Sequence, residues 1–138
     1  MSTPAQDFNA QVIEEFRANG GRVGGPFAGQ PLLLLHHIGA RSGVQRVNPL
    51  VYLEDGERFV IFASKAGAPA NPDWYHNLKA HPDVTIEVGT DTIPVRAHEV
   101  TGAERDRLFD AQSAAMPAFA GYQEQIERII PAIALTRR

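Results

Sequence analysis

Residues 32–53 read LLLLHHIGARSGVQRVNPLVYL. Leu32 to Ile38 is a continuous apolar run that ends in two histidines and carries no helix-capping residue. A run of that length is a buried strand rather than a helix. Gly39 to Gly43 turns the chain. Val47 to Leu53 is a second strand, interrupted by Pro49. Proline has no N–H to give to a ladder, so Pro49 marks an edge, a bulge or a ligand-facing break.

The pattern continues outward on both sides. Asp55-Gly56 is a hairpin turn, because both residues tolerate the backbone that a tight turn needs. Arg58 to Ala63 is a third strand. Val84 to Val88 and Thr92 to Val100 form another hairpin around Gly89, with Pro94 suggesting an edge. Ala132 to Leu135 is a last short strand. Asn71 caps a short helix, with Pro72 in its first turn and Asp73 complementing its dipole. That helix stops before Pro82.

Phe8, Val12 and Phe16 recur every four residues, so residues 1–21 hold an N-terminal helix that Gly20-Gly21 ends. Helices also fill residues 101–130. Thr101 and Glu104 form a capping box for the first of them. Pro117 separates it from a second, marked by Phe119, Tyr122, Ile126, Ile129 and Ile130.

Five or six short strands joined by hairpins, with helices outside, give a mainly β (α+β) fold. The reading is one domain, residues 1–138, with a small antiparallel sheet whose closure into a barrel removes free edges. The connections are too short for a doubly wound parallel sheet.

Composition narrows the function. The chain of 138 residues is 43% hydrophobic, carries a net charge of −3 and has a pI near 5.9. A general nucleic-acid binder is more basic. There are no cysteines, which excludes disulfides, thiolate metal sites and a cysteine nucleophile. No apolar run reaches the roughly 18–20 residues of a membrane helix. The expectation is a cytoplasmic protein, with peripheral contact at the inner face of a membrane and the oligomeric state left open.

Two small-residue loops carry most of the chemistry. The first is Gly39-Ala40-Arg41-Ser42-Gly43-Val44-Gln45-Arg46, the second Ala63-Ser64-Lys65-Ala66-Gly67-Ala68-Pro69. Small residues let backbone N–H groups approach oxygen atoms closely. Arginine adds a planar fork of donors for phosphate or carboxylate. The aromatic pair Trp74-Tyr75 follows. Together they suggest a ligand with an anionic tail and a flat apolar head. The plainer reading makes Arg41, Arg46 and Lys65 solvated surface cations, and Trp74, Tyr75 and Tyr122 core.

Ser64 has no adjacent base and sits in no nucleophile elbow, so it reads as a hydrogen-bond donor. His36 and His37 are strand neighbours and face opposite sides. His76 and His81 miss the i, i+4 spacing of a helical metal pair. No metal site is expected, and His98 reads as surface.

These two loops, with Asn48-Pro49-Leu50, Asn71-Pro72-Asp73-Trp74-Tyr75-His76-Asn77-Leu78 and the weaker Phe119 to Tyr122, resemble the deazaflavin-dependent nitroreductase family. The resemblance runs from Leu32 nearly to the end of the chain. It implies a split β-barrel, like those of flavin reductases and pyridoxamine oxidases. It also implies coenzyme F-420, an 8-hydroxy-5-deazaflavin with a phosphate and oligoglutamate tail, as hydride donor to a small electron-poor acceptor such as a quinone, an activated alkene or a nitro compound. By the same resemblance Arg41, Ser42, Gly43 and Arg46, with Lys65, Ala66 and Gly67, bind the tail. Asn48, Pro49 and Leu50 line the ring. Ser64 and Tyr122 face the acceptor, and Trp74 forms an aromatic wall beside it. Met116 and Phe119 stand where nitro-reducing relatives carry tyrosines, so the acceptor pocket is more apolar. His36-His37 replaces a threonine-rich strand end. Flavin mononucleotide on the same architecture is the alternative cofactor. A non-catalytic carrier of an anionic small molecule is the alternative function.

Overall fold

A computed structural model describes residues 4–138, with the side chains of Pro4, Ala5, Pro26 and Ala66 outside that description. Residues 1–3 of the expected N-terminal helix, and the side chain of Ala66 among the expected cofactor contacts, therefore lie outside the described residues.

The strands are β1 (Leu32–Ile38), β2 (Gln45–Val51), β3 (Leu53–Asp55), β4 (Arg58–Phe62), β5 (Asp83–Val88), β6 (Asp91–Val100) and β7 (Ala132–Arg137). The helices are α1 (Pro4–Ala18), α2 (Asp73–Ala80), α3 (Gly102–Ala115) and α4 (Ala118–Glu124). All strands join one sheet in the order β2-β1-β5-β6-β7-β4-β3, and every pairing is antiparallel. The two ends of that order, β2 and β3, are separated in sequence by Tyr52 alone. The sheet must therefore curl until its edges meet at Tyr52, which makes a split barrel. There the Tyr52 ring packs edge-on against Phe59, with centroids 5.5 Å apart.

Strand alternation sorts the core. Leu33, Leu35, Ile61, Ile86, Val95 and Leu135 fill the barrel interior, and α2 covers them with Trp74, Tyr75 and Leu78. On the outer face α1 sets Val12 and Phe16 on Leu32 and Leu34. Elsewhere on that face α3 and α4 bring Leu108, Phe109 and Phe119 to Val60, Phe62 and Ala134. Burying such side chains contributes roughly 1.5–3 kcal/mol each.

The structure corrects several expectations. There are seven strands among the described residues, because the expected second strand breaks at Tyr52, where the chain crosses the seam. Pro94 lies in β6, an interior strand, not at an edge. There its carbonyl accepts from the Arg138 N–H at 3.0 Å, and it pairs with Thr85 of β5. Asn71 does not cap α2. Pro72 holds that position, and Asn71 Oδ1 instead accepts from Arg128. The capping box at Thr101 is not made, because Glu104 turns to pair with Arg58 at 3.2 Å. The last helix ends at Glu124, well short of residue 130, and Ile129 is exposed.

Candidate active site

The loop between β1 and β2 is closed on itself. The Gly39 N–H donates to the Val44 carbonyl at 2.9 Å, and the Gly43 N–H donates to the Gly39 carbonyl at 3.0 Å. Ser42 Oγ accepts from the Val44 N–H at 3.2 Å. A Cβ at Gly39 would meet that hydroxyl, which would have to rotate away and give up its bond to the Val44 N–H. Gly43 supplies the left-handed turn with φ +68°.

This loop forms one wall of a cleft of about 520 Å³. Gly39, Ala40, Arg41, Ser42 and Arg46 line one side, and Asp73, His76 and Asn77 of α2 line the other. The chain has thirteen lysines and arginines. Among the described residues, only the side chains of Arg22, Arg41, Arg46 and Lys65 lack an ion pair, a hydrogen bond or a ring contact. Arg41 and Arg46 thus face one cleft as unpaired guanidinium groups. The Arg41 and Ser42 amides are likewise without a partner among the described residues. With Asp73 as the only carboxylate lining it, the cleft offers an anion more donors than its own residues use.

Behind the cleft lies a buried polar chain that sequence reasoning missed. The Ala40 N–H donates to Asn77 Oδ1 at 2.9 Å, and Asn77 Nδ2 meets His37 Nδ1 at 3.0 Å. His37 Nε2 meets Asn48 Oδ1 at 2.7 Å. Burial, the largest cause, holds the His37 imidazole below its ordinary pKa, and Arg46 adds to this against the opposing Asn48 bond. His37 is therefore neutral at pH 7. Its only sequence signal was the alternation that sends His36 and His37 to opposite faces. His36 indeed goes elsewhere, to Glu87 at 2.6 Å.

Register decides which β2 residues share the cleft's face. Arg46, Asn48 and Leu50 pair with His37, Leu35 and Leu33, whose side chains point to the barrel interior. Pro49 pairs with Leu34 and is buried on the opposite face, toward α1. A period of two sets its ring on the face opposite the side chains of Asn48 and Leu50.

The second loop is built separately. Lys65 is exposed and holds φ +49°, a left-handed backbone that lysine rarely adopts. Gly67 has a local reason to be glycine. A Cβ there would lie 2.8 Å from Gln125 Oε1 and 3.4 Å from Tyr122 Cα, so α4 occupies that space. Ser64, Lys65, Gly67 and Tyr122 form a second group, and none of them lines the cleft of Arg41. Trp74 is 6% exposed, packed in the barrel interior, and lines that cleft no more than they do. That placement is the core packing of the plainer reading of Trp74.

Arg128 is the other residue that sequence reasoning missed. Its guanidinium donates to the carbonyls of Ala63, Ser64 and Ala68 at 2.9–3.1 Å and to Asn71 Oδ1 at 2.6 Å. It ties the whole second loop to the start of α2. A lone arginine between Glu127 and Ile129 gave no signal of this. Among the described residues no cluster of histidine, aspartate and glutamate suits a metal ion. No helix among them is long and apolar enough to cross a membrane.

The family model for F420H(2)-dependent quinone reductases matches residues 9–137. This chain belongs to the F420H(2)-dependent quinone reductase family. An F420H(2)-dependent quinone reductase of Mycobacterium tuberculosis is 40% identical over 129 residues, covering 89% of this chain and 85% of its own. A solved F420-H2 dependent reductase, FDR-A, aligns with a TM-score of 0.70 at 36% identity, covering 76% of this chain and 93% of its own. A solved domain-swapped dimer aligns with a TM-score of 0.73 at 31% identity, covering 96% of this chain and 99% of its own. The protein is thus a deazaflavin-dependent reductase with coenzyme F-420 as its cofactor, on the split barrel expected from the sequence. The unpaired arginines and free amides of the cleft fit the anionic tail of such a group.

Proposed function

We propose that this reductase passes a hydride from reduced coenzyme F-420 to a quinone, with the anionic tail in the Arg41 cleft. The observation that carries the reading is the pair of unpartnered guanidinium groups, Arg41 and Arg46, on one cleft. Quinone is the leading acceptor because the matching family and relatives are named for it. Activated alkenes and nitro compounds are the lesser candidates.

When bound, the deazaflavin supplies the hydride from its ring carbon. The chain's own residues orient and enclose. Arg41 and Arg46 hold phosphate and carboxylate through charged hydrogen bonds, and the Arg41 and Ser42 amides add donors. Asn48 and Leu50, inward along β2 from Arg46, face the ring. In the second loop Lys65 adds a cation. Ser64 and Tyr122 stand on the acceptor side, where either hydroxyl gives a proton to the reduced quinone oxygen. Gly43 shapes its loop and Gly67 admits α4, so neither needs to touch ligand.

Reduced coenzyme F-420 mixed with purified protein and a panel of quinones, alkenes and nitro compounds tests this. Loss of reduced-cofactor absorbance fastest with quinones is expected. No oxidation above the enzyme-free rate with any quinone would overturn it. A parallel fluorescence titration against flavin mononucleotide decides the cofactor class.

A further inference from the structure

We infer that His37 is a positioning residue that aims the Asn48 amide N–H group, not its oxygen, at a hydrogen-bond acceptor on the flat head of the ligand. The inference rests on the proposed placement of Asn48 against the ring and adds the direction of that contact.

The direction is set one bond at a time from the backbone. The Ala40 N–H can only donate, so the Asn77 atom 2.9 Å away is its oxygen. The Asn77 amide nitrogen then faces His37 Nδ1 at 3.0 Å. An amide NH2 group only donates, so Nδ1 accepts and carries no proton. A neutral imidazole has one N–H, which therefore sits on Nε2 and donates to Asn48 Oδ1 at 2.7 Å. That bond occupies the Asn48 oxygen and turns its nitrogen away from His37.

Burial keeps the chain from reversing. His37 is 3% exposed and Asn77 6%. An Asn77 flip would set its nitrogen against the Ala40 N–H, donor against donor, and turn its oxygen to face the His37 ring. Asn48 itself is half-buried, and its nitrogen has no partner among the described residues. Nor is that nitrogen a sealed orphan, since the one buried unpartnered side-chain polar atom among those residues is Ser113 Oγ. It is a reachable donor, on the strand face between Arg46 of the cleft and Leu50 of the core. Its match is a ring carbonyl oxygen or an unprotonated ring nitrogen. A head group with an N–H at that point meets donor with donor.

The test is nitrogen NMR on protein labelled in histidine, asparagine and arginine side chains, with His37→Gln identifying the His37 signals. In the free protein at pH 7 the His37 ring is expected in the Nε2–H form. Adding oxidised coenzyme F-420 is expected to shift the Asn48 side-chain NH2 resonance. Asn48→Asp keeps an oxygen for His37 but loses the outward donor, so cofactor binding weakens roughly tenfold. An Nδ1–H ring, or an Asn48 resonance unmoved while the Arg41 and Arg46 side-chain signals move, overturns the inference and leaves the cleft assignment standing. No movement at any of the three overturns both.

Discussion

Arg128 Nη1 donates to Asn71 Oδ1 across 2.6 Å, and the same guanidinium closes on three carbonyls of the second loop. No carboxylate shares this cation among the described residues, so its planar fork is satisfied by neutral oxygens alone. Lysine offers three donors from one point and cannot span that set. Arg128→Lys is expected to cost about 2–3 kcal/mol of stability, since at least one charged hydrogen bond is lost and carbonyls are left unpaired. Urea unfolding with an unchanged slope measures it. A loss below about 0.5 kcal/mol would show that the loop is held by something else.

Lys65 separates backbone strain from ligand binding. Its φ of +49° costs a side-chain-bearing residue on the order of 1 kcal/mol. Lys65→Gly relieves that strain and also removes the cation. Unchanged or slightly raised thermal stability, with weaker cofactor binding, is the expected outcome. Lower stability with unaltered affinity would mean that Lys65 acts through packing rather than charge.

Trp74→Ala is expected to cost about 3–5 kcal/mol, as a large aromatic leaves a cavity in the barrel interior. Trp74→Phe should retain most of the stability and the turnover. Chemical denaturation of both variants, alongside their saturated rates, distinguishes packing from contact with the acceptor. Full stability with lost turnover in Trp74→Phe would return the indole to the active site.

Glu87 binds Arg17 of α1 at 2.7 Å and His36 of β1 at 2.6 Å. The Arg17 hydrogen bond, with a smaller one from His36, holds its carboxyl below the ordinary value of 4.5. A depressed carboxyl gives stability that is present above the unfolded pKa and lost as pH falls through the lower folded one. Glu87→Gln should therefore cost up to about 1 kcal/mol at pH 7 and nothing at the acid end. Urea midpoints of both proteins between pH 7 and pH 3 check this. A gap that stays constant with pH would mean that charge is not the cause.

The local periodicities were legible in the sequence. Leu32–Ile38, the Asp55-Gly56 turn, the hairpin around Gly89 and the stripe of Val12 and Phe16 each encode an element within a few neighbouring residues. Relations between distant segments were not. Nothing near Pro94 says that β5 and β7 will flank its strand on both sides. Asn71 and Glu104 had good caps to make, but Arg128 and Arg58 offered stronger charged bonds from more than forty residues away. The same limit hid half of the site. Arg41 and Arg46 were visible as cations in a small-residue turn, whereas the bracing of that turn by Asn77 and His37 exists only once α2 lies against β1. Motif adjacency likewise ignores the two faces of a strand, which set the Pro49 ring opposite the side chains of Asn48 and Leu50.

The most direct test of the account is the cofactor dissociation constant and the saturated rate for Arg41→Ala and Arg46→Ala, measured at two salt concentrations. Each guanidinium should contribute roughly 1.5–3 kcal/mol to binding the anionic tail. The account predicts about ten- to hundredfold weaker binding in each variant, with reduced sensitivity to salt. It predicts little change in the rate at saturation, because the lost bond is present equally in ground and transition states. Unaltered cofactor affinity in both variants would contradict it and place the anion site elsewhere.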